Sequence, residues 1–405
     1  MKPVPYSHTA GTTDKADIPR EFLPAGLILG DDVQITSTQA LAHRMSSLLL
    51  DGQSSPTAAV PDVASVVTWF GAMQSQDLGS GLWSFGARLP HLNLTDICAA
   101  LERREALRTW PMRGTVHFVP PRDARWMLEL MGVRALAGAA RRREHLGLSA
   151  VLAERAVEVL GTALAGGGRM TRAECVATLR AAGINADGQL AYHLLWYASQ
   201  QGVTCIAPNI GSEQTFVLLS EYVPDPHLPE RDEALATMAL RYFRSHGPST
   251  VKDFVGWTGL TSADCKRGIA AAGESLVSVD VEGTPMVEFS NEADRRATAS
   301  EPDPDAVIAV SGFDEYLLGF KDRSLMLAAE HKQAIIPGSN GIFMWTIVRG
   351  GRVIGTWKRS PKTAKTVVDV LPLITLRAKD RKAVEAAFLP YQRFLGRPVE
   401  VRWPS

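Results

Sequence analysis

The chain has 405 residues, 45% of them hydrophobic and 21% charged, and its 43 Lys and Arg balance 43 Asp and Glu. That length supports two to four domains, and no stretch reaches the ~20 apolar residues of a membrane-spanning helix. Four dispersed cysteines (Cys98, Cys175, Cys205 and Cys265) form no CxxC pair, which excludes a zinc knuckle or a redox dithiol.

Cysteine dispersal and a polar start without a signal-peptide core point to a cytoplasmic protein. The net charge of zero conceals blocks. Residues 1–97 carry net −4, residues 98–180 net +6, residues 181–312 net −10 and residues 313–405 net +8. Two basic blocks around an acidic one suit a protein that wraps a polyanion and turns its acidic part away. The plain alternative is that these charges average out over a folded surface.

Residues 1–33 read as a flexible N-terminal arm. A first module, 34–130, opens with a helix in TSTQALAHRMSSLLLDG, capped at Thr36 or Ser37 and stopped at Gly52. A second helix, PDVASVVTWFGAMQSQD, is expected to run from Pro61 to the Gly79/Gly81 pair, which places Gln74 and Gln76 at its C-terminal end. A third helix, LTDICAALERREA, precedes two strand-like runs, LRTWPM and GTVHFVP. Three helices and then a hairpin is the order of a winged helix.

The pattern returns in 131–230. Thr171 caps a helix ending at Gly183, residues 189–201 form another, and TCIAP and TFVLLS are strands. It returns again in 231–300, with a helix at 249–257, a turn at Gly259, a helix opened by Thr261 and strands around Glu282-Gly283. Residues 291–305 read as a linker. The remainder, 301–405, is β-rich, with a hairpin turn at Arg349-Gly350-Gly351-Arg352 and one late helix, as expected of a small domain of its own.

Four segments carry a family resemblance: TWPMRGTVHFVPPRD (109–123), GPSTVKDFVGWTGL (247–260), SGFDEYLLGFKDR (311–323) and GGRVIGTWKR (350–359). With them, residues 34–405 resemble the winged-helix DNA-binding family that contains the AlkZ/YcaQ DNA glycosylases. The resemblance implies an α+β fold of three tandem winged-helix modules followed by a small C-terminal β-barrel-like domain. It also implies that Gln74 and Gln76 are the catalytic Gln-Φ-Gln pair, although the aliphatic middle position is here Ser75.

A carboxamide offers one acceptor and two donors but no useful acid–base pKa. Two of them can orient a water and a base edge; they cannot take a full proton. They therefore suit a substrate that is already activated, such as a purine made cationic by alkylation at N7 or N3, including bulky adducts and interstrand crosslinks. The expected enzyme is a monofunctional DNA glycosylase. The alternative is a non-catalytic DNA-binding protein or regulator.

Asp77, Arg113 and His117 are candidates to support the glutamines, and Thr115 and His117 alternate onto one strand face. Trp83 and Trp110 are candidates to stack on a base, against the commoner reading that they are core. Arg141, Arg142, Arg143, Lys321, Arg323, Lys358 and Arg359 are candidate phosphate contacts, against the reading that they are merely solvated. The acidic tip at Glu282-Gly283 argues against groove reading by every module. Expected partners are double-stranded DNA and no membrane, the expected state is a monomer, and no metal or organic cofactor is indicated.

Overall fold

The computed structural model describes residues 28–52, 55, 59–290, 303–339 and 341–404. Residues 291–302 of the expected linker, and the expected arm up to residue 27, lie outside the described residues. The arm as read was too long. Strand β1 (Ile28–Ile35) pairs in parallel with the strand Leu276–Val281. A partner so distant in sequence leaves no trace in local periodicity.

Helix α1 (Ser37–Ser47) starts in a capping box between Thr36 and Gln39. Helix α2 (Val63–Phe70), opened by Asp62, does not continue through the glutamines. It stops at Gly71, whose φ of 78° lets its N–H reach the Val67 carbonyl. A two-residue strand, β2 (Met73–Gln74), follows, and α3 (Leu78–Arg88) begins with Asp77 as its N-cap. Gly79 and Gly81 thus lie inside a helix. The expected helix over 61–77 is cut short. Helix α2 buries Val63, Val66, Val67 and Phe70 at helical spacing, and the apolar Ala72 and Met73 prolong that run in the sequence, but the positive φ of Gly71 ends the helix before them.

Helix α4 (Leu94–Glu102) leads into β3 (Leu107–Met112) and β4 (Thr115–Val119). Helices α5 (Ala124–Met131), α6 (Val133–His145) and α7 (Ala150–Leu164) carry the chain to β5 (Met170–Thr171). Then come α8 (Arg172–Ala181), α9 (Gln189–Gln200), β6 (Thr204–Ile210) and β7 (Glu213–Leu218). These strands make one six-stranded sheet in the order β2-β4-β3-β6-β7-β5. Its two halves meet where Arg108 faces Ile206.

After the single turn α10 (Leu219–Tyr222) come α11 (Arg231–His246), α12 (Val251–Thr258) and α13 (Ser262–Ala272), then the hairpin β8 (Leu276–Val281) and β9 (Thr284–Phe289). Gly259 ends α12 in the left-handed region, and Thr171 and Thr261 cap α8 and α13, all as read. The tip of the third hairpin is occupied. Glu282 Oε1 accepts the Ser37 N–H at 2.9 Å and closes the start of α1.

The last sheet runs β10 (Val307–Val310), β11 (Trp345–Arg349), β12 (Arg352–Pro361), β13 (Thr366–Pro372) and β14 (Val399–Arg402) in that order, with β10 and β14 at its ends. It is not a domain with a core of its own. One apolar cluster joins Leu41, Phe70 and Phe85 to Val310, Trp357 and Phe394. Trp83 lies in this cluster, donating Nε1–H to the Ala309 carbonyl at 3.0 Å and meeting the Tyr391 ring at 4.8 Å. Trp110 is buried in the core around α7 and α9. Both tryptophans are core residues, unable to stack on a base.

Candidate active site

The two glutamines stand on the edge of the six-stranded sheet, on backbone that is held from every side. The Ser75 N–H donates to the Val116 carbonyl at 2.9 Å. The Ser75 carbonyl accepts from Arg108 Nη2 at 3.1 Å. The Gln74 N–H points away from β4, off the open edge of β2, and there Glu315 Oε1 accepts it at 3.0 Å. An edge N–H buried at this depth needs such an acceptor.

Burial falls away at the end of the motif. Gln74 is 6% exposed, Ser75 is fully buried, and Gln76 is exposed. Ser75 packs on α3, where a Cβ at Gly81 would lie 3.0 Å from Ser75 Cβ; its hydroxyl has no hydrogen-bond partner. Gln76 Oε1 accepts the Val116 N–H at 3.2 Å, which leaves its NH2 group as a pair of outward donors. The Gln74 carboxamide has no partner among the described residues and keeps both functions for a ligand. Asp77 is committed through one oxygen to the start of α3. Its Oδ2 accepts from the Ser80 N–H at 2.8 Å and the Ser80 hydroxyl at 2.7 Å, as a helix cap does.

His117 faces Gln74 across the β2–β4 pair and is completely buried. Burial, aided by the Arg113 charge, pushes its pKa down to about 3, so the ring is neutral. Its Nδ1 lies 2.8 Å from the Thr115 carbonyl and its Nε2 3.2 Å from Arg113 Nη2. The Thr115 contact fixes the proton on Nδ1 and leaves Nε2 to accept from the guanidinium. Arg113 sits in the left-handed region at the β3–β4 turn, with φ 54°. It is accessible to solvent, yet desolvation by surrounding protein is the leading cause that lowers its pKa.

Lys321 and Arg323 belong to the same face. Arg113 carries its Cγ to within 3.6 Å of where a Cβ at Gly259 would be, and Lys321 lies equally close to Gly256, both at the C-terminal end of α12. Arg134 Nη1 donates to the Gly259 carbonyl at 2.8 Å. The helix dipole favours cations there. Arg323 stacks on Phe343 at 5.0 Å, and the Arg113 charge is among the causes that lower its pKa, after burial. On the other flank, Arg359 stacks on Trp345 at 4.8 Å and stands 3.9 Å from Asp77, while Lys358 is exposed beside it.

Two members of the arginine run are engaged on the neighbouring helix. Arg142 donates to Gln189 Oε1 at 2.5 Å and Arg143 covers the Tyr197 ring at 5.1 Å, so both are turned onto α9. Arg141 is exposed on α6.

Sequence reasoning passed over the residue that ties the site together. Glu315 is 2% exposed at the start of the one-turn helix Glu315–Leu318. Besides Gln74, its carboxylate meets His246 Nε2 at 3.3 Å and accepts Trp257 Nε1–H at 2.9 Å. Burial opposes its ionisation, but the His246 hydrogen bond and the cationic surroundings, Arg113 among them, outweigh it and hold the pKa down at about 2. The only sequence signal was a glutamate set among the apolar residues of FDEYLLGF.

The model of the AlkZ-like DNA glycosylase family matches residues 67–394, which contain both glutamines and Glu315. The chain belongs to the AlkZ-like DNA glycosylase family. It is thus an enzyme of the hydrolase class that acts on DNA. It is 30% identical over 348 residues to an interstrand DNA cross-link repair glycosylase of Streptomyces sahachiroi, covering 79% of this chain and 87% of the relative. It is similar to the solved structure of the S. sahachiroi DNA glycosylase AlkZ, with a TM-score of 0.73, 25% identity, and coverage of 92% of this chain and all of the other. Among the described residues no helix is long and apolar enough to cross a membrane, and no group of three or more His, Cys, Asp or Glu is placed to hold a metal ion.

Proposed function

We propose that this AlkZ-like protein hydrolyses the N-glycosidic bond of cationic N7- or N3-alkylated purines in duplex DNA, bulky adducts and interstrand crosslinks included. The observation that carries the reading is the unpartnered carboxamide of Gln74 on clamped backbone. Gln74 positions the attacking water or the sugar, and the NH2 of Gln76 donates to the lesion or a nearby phosphate.

What the site lacks sets the substrate. Glu315 spends its oxygens on Gln74, His246 and Trp257, Asp77 is a cap, and His117 is a neutral ring already bonded at both nitrogens. Among these groups only Asp77 Oδ1, on an exposed helix cap, is left without a partner, so we read the site as suited to a base that departs readily by itself. Positioning alone then supplies several kcal/mol, on the order of what effective-molarity arguments allow. The exposed position of Gln76 leaves room for a bulky lesion, and the relative named for cross-link repair supports extension to crosslinks. We further read the three helix-plus-hairpin units as tandem winged helices that present a curved, cationic scaffold to DNA phosphates.

The test is base release from duplexes carrying N7-methylguanine, a nitrogen-mustard crosslink or uracil. Release from the first two and not from uracil, lost on Gln74→Ala, is expected. Equal release from uracil DNA, or a Gln74→Ala variant as fast as wild type, would overturn the reading.

A further inference from the structure

The site glutamines are supplied by the first unit, but what sets Gln74 comes from elsewhere in the chain. We infer that Glu315 is a positioning residue for the glycosylase reaction: its carboxylate, oriented by His246 and Trp257, fixes the peptide of Gln74 and thereby the direction of the catalytic carboxamide. The inference rests on the proposed role of Gln74.

Strand β2 is only two residues long and lies at the sheet edge, so β4 restrains it from one side alone. The other side is held by a single acceptor, Glu315 Oε1, 3.0 Å from the Gln74 nitrogen. That acceptor cannot wander. Trp257 Nε1 holds Oε2 at 2.9 Å, and His246 Nε2 lies 3.3 Å from the same oxygen. The imidazole is itself fixed, with its Nδ1 2.8 Å from the Ser245 hydroxyl and its ring stacked on Tyr242 at 4.6 Å. Gly319 completes the seat, because any Cβ there would run into the His246 ring. Carboxylate, imidazole and indole come from three separate parts of the chain and meet behind one backbone N–H. A charge-assisted bond of this kind is stronger and more directional than the neutral one that a water or an amide would offer. Since a misplacement of about 1 Å in a positioned group costs on the order of a hundredfold in rate, loss of this tether shows in the chemical step more than in DNA affinity.

The experiment is a double-mutant cycle in single-turnover base release from N7-methylguanine duplex, using wild type, Glu315→Gln, Gln74→Ala and the double variant. Glu315→Gln keeps the volume and one acceptor but presents an NH2 group to the Trp257 and His246 donors. The expected result is a rate about tenfold or more below wild type, DNA affinity changed less than about twofold, and almost no further loss when the substitution is added to Gln74→Ala. Equal losses in both backgrounds would overturn the inference while leaving the proposed function standing; they would mark Glu315 as a general structural residue. Wild-type inactivity on every alkylated duplex would remove the proposed function and this inference with it. Should Glu315→Gln fail to fold, Trp257→Phe, which deletes one donor and leaves the carboxylate in place, takes its position in the cycle with the same non-additivity expected.

Discussion

Asp314 grips Arg88 in a bidentate pair, Nη1 to Oδ2 and Nη2 to Oδ1, both at 2.9 Å, with both side chains almost wholly out of solvent. The pair joins the end of α3 to the turn after β10. Arg88 also donates to the carbonyls of Leu48 and Ser84, so most of its donors are used. Breaking such a pair strands a charge in the interior, so Asp314→Asn is expected to cost about 3–5 kcal/mol. Urea unfolding monitored by tryptophan fluorescence measures it; a loss under 1 kcal/mol would mean that water reaches Arg88.

Ser75 carries the one side-chain polar atom of the motif that is both wholly out of solvent and without a partner. Its hydroxyl has no partner and its Cβ sits against α3 at Gly81. Ser75→Ala removes the orphan group without adding volume, and is expected to stabilise the protein by about 1 kcal/mol with base release unchanged. Gly81→Ala pushes the other way, since the new Cβ would lie 2.9 Å from the Phe118 ring and 3.0 Å from Ser75. Its overpacking cost of about 1–3 kcal/mol exceeds the helix-propensity gain of about 1 kcal/mol, and base release is expected to fall as β2 shifts. Thermal melts and release assays on the two variants decide this.

His117 gives the protein an acid limb. Its folded pKa of about 3 lies below the ordinary 6.5, so between these values the unfolded chain binds a proton that the folded chain does not. Stability is therefore full above pH 6.5 and drains away as pH falls toward 3. Glu315, held at about 2 against an ordinary 4.5, acts in the same direction but only below pH 4.5. A melt series from pH 7 to 5 thus isolates the histidines. The drop for His117→Gln is expected to be smaller than for wild type; an identical slope would contradict the buried neutral ring.

DNA affinity separates the two groups of arginines. Arg113→Gln or Lys321→Gln is expected to weaken binding to undamaged duplex and to lower the slope of log K against log salt by about 1 each. Arg143→Gln, whose guanidinium already covers Tyr197, is expected to leave that slope alone. Fluorescence anisotropy at several salt concentrations tests both, and a reduced slope for Arg143→Gln would return α6 to the DNA-facing surface.

Local chemistry was legible in the sequence wherever a single residue decided it. Thr171 and Thr261 cap helices, Gly259 turns left-handed, and the Arg349–Arg352 turn joins β11 to β12. The glutamine pair was legible only through its family resemblance. The breaking of helix 61–77 at Gly71 was not, because Ala72 and Met73 continue the apolar run past the end of α2 and a two-residue strand is too short to show a period. Glu315 was hidden for a different reason. Its partners Gln74, His246 and Trp257 lie 241, 69 and 58 residues away, and no local pattern records a contact at that range. The same holds for Arg108, whose hold on Ser75 spans 33 residues.

The apolar cluster that contains Leu41 also contains Phe394. A ribosome delivers these residues in order, so the apolar side of α2 and α3 stays only partly covered until Trp357, Tyr391 and Phe394 have been added. Assembly of that layer is non-local, which is slow and leaves the nascent chain open to sticking. A message truncated just before Tyr391 would encode both glutamines and Glu315 and still yield a protein fit mainly for chaperones and proteases.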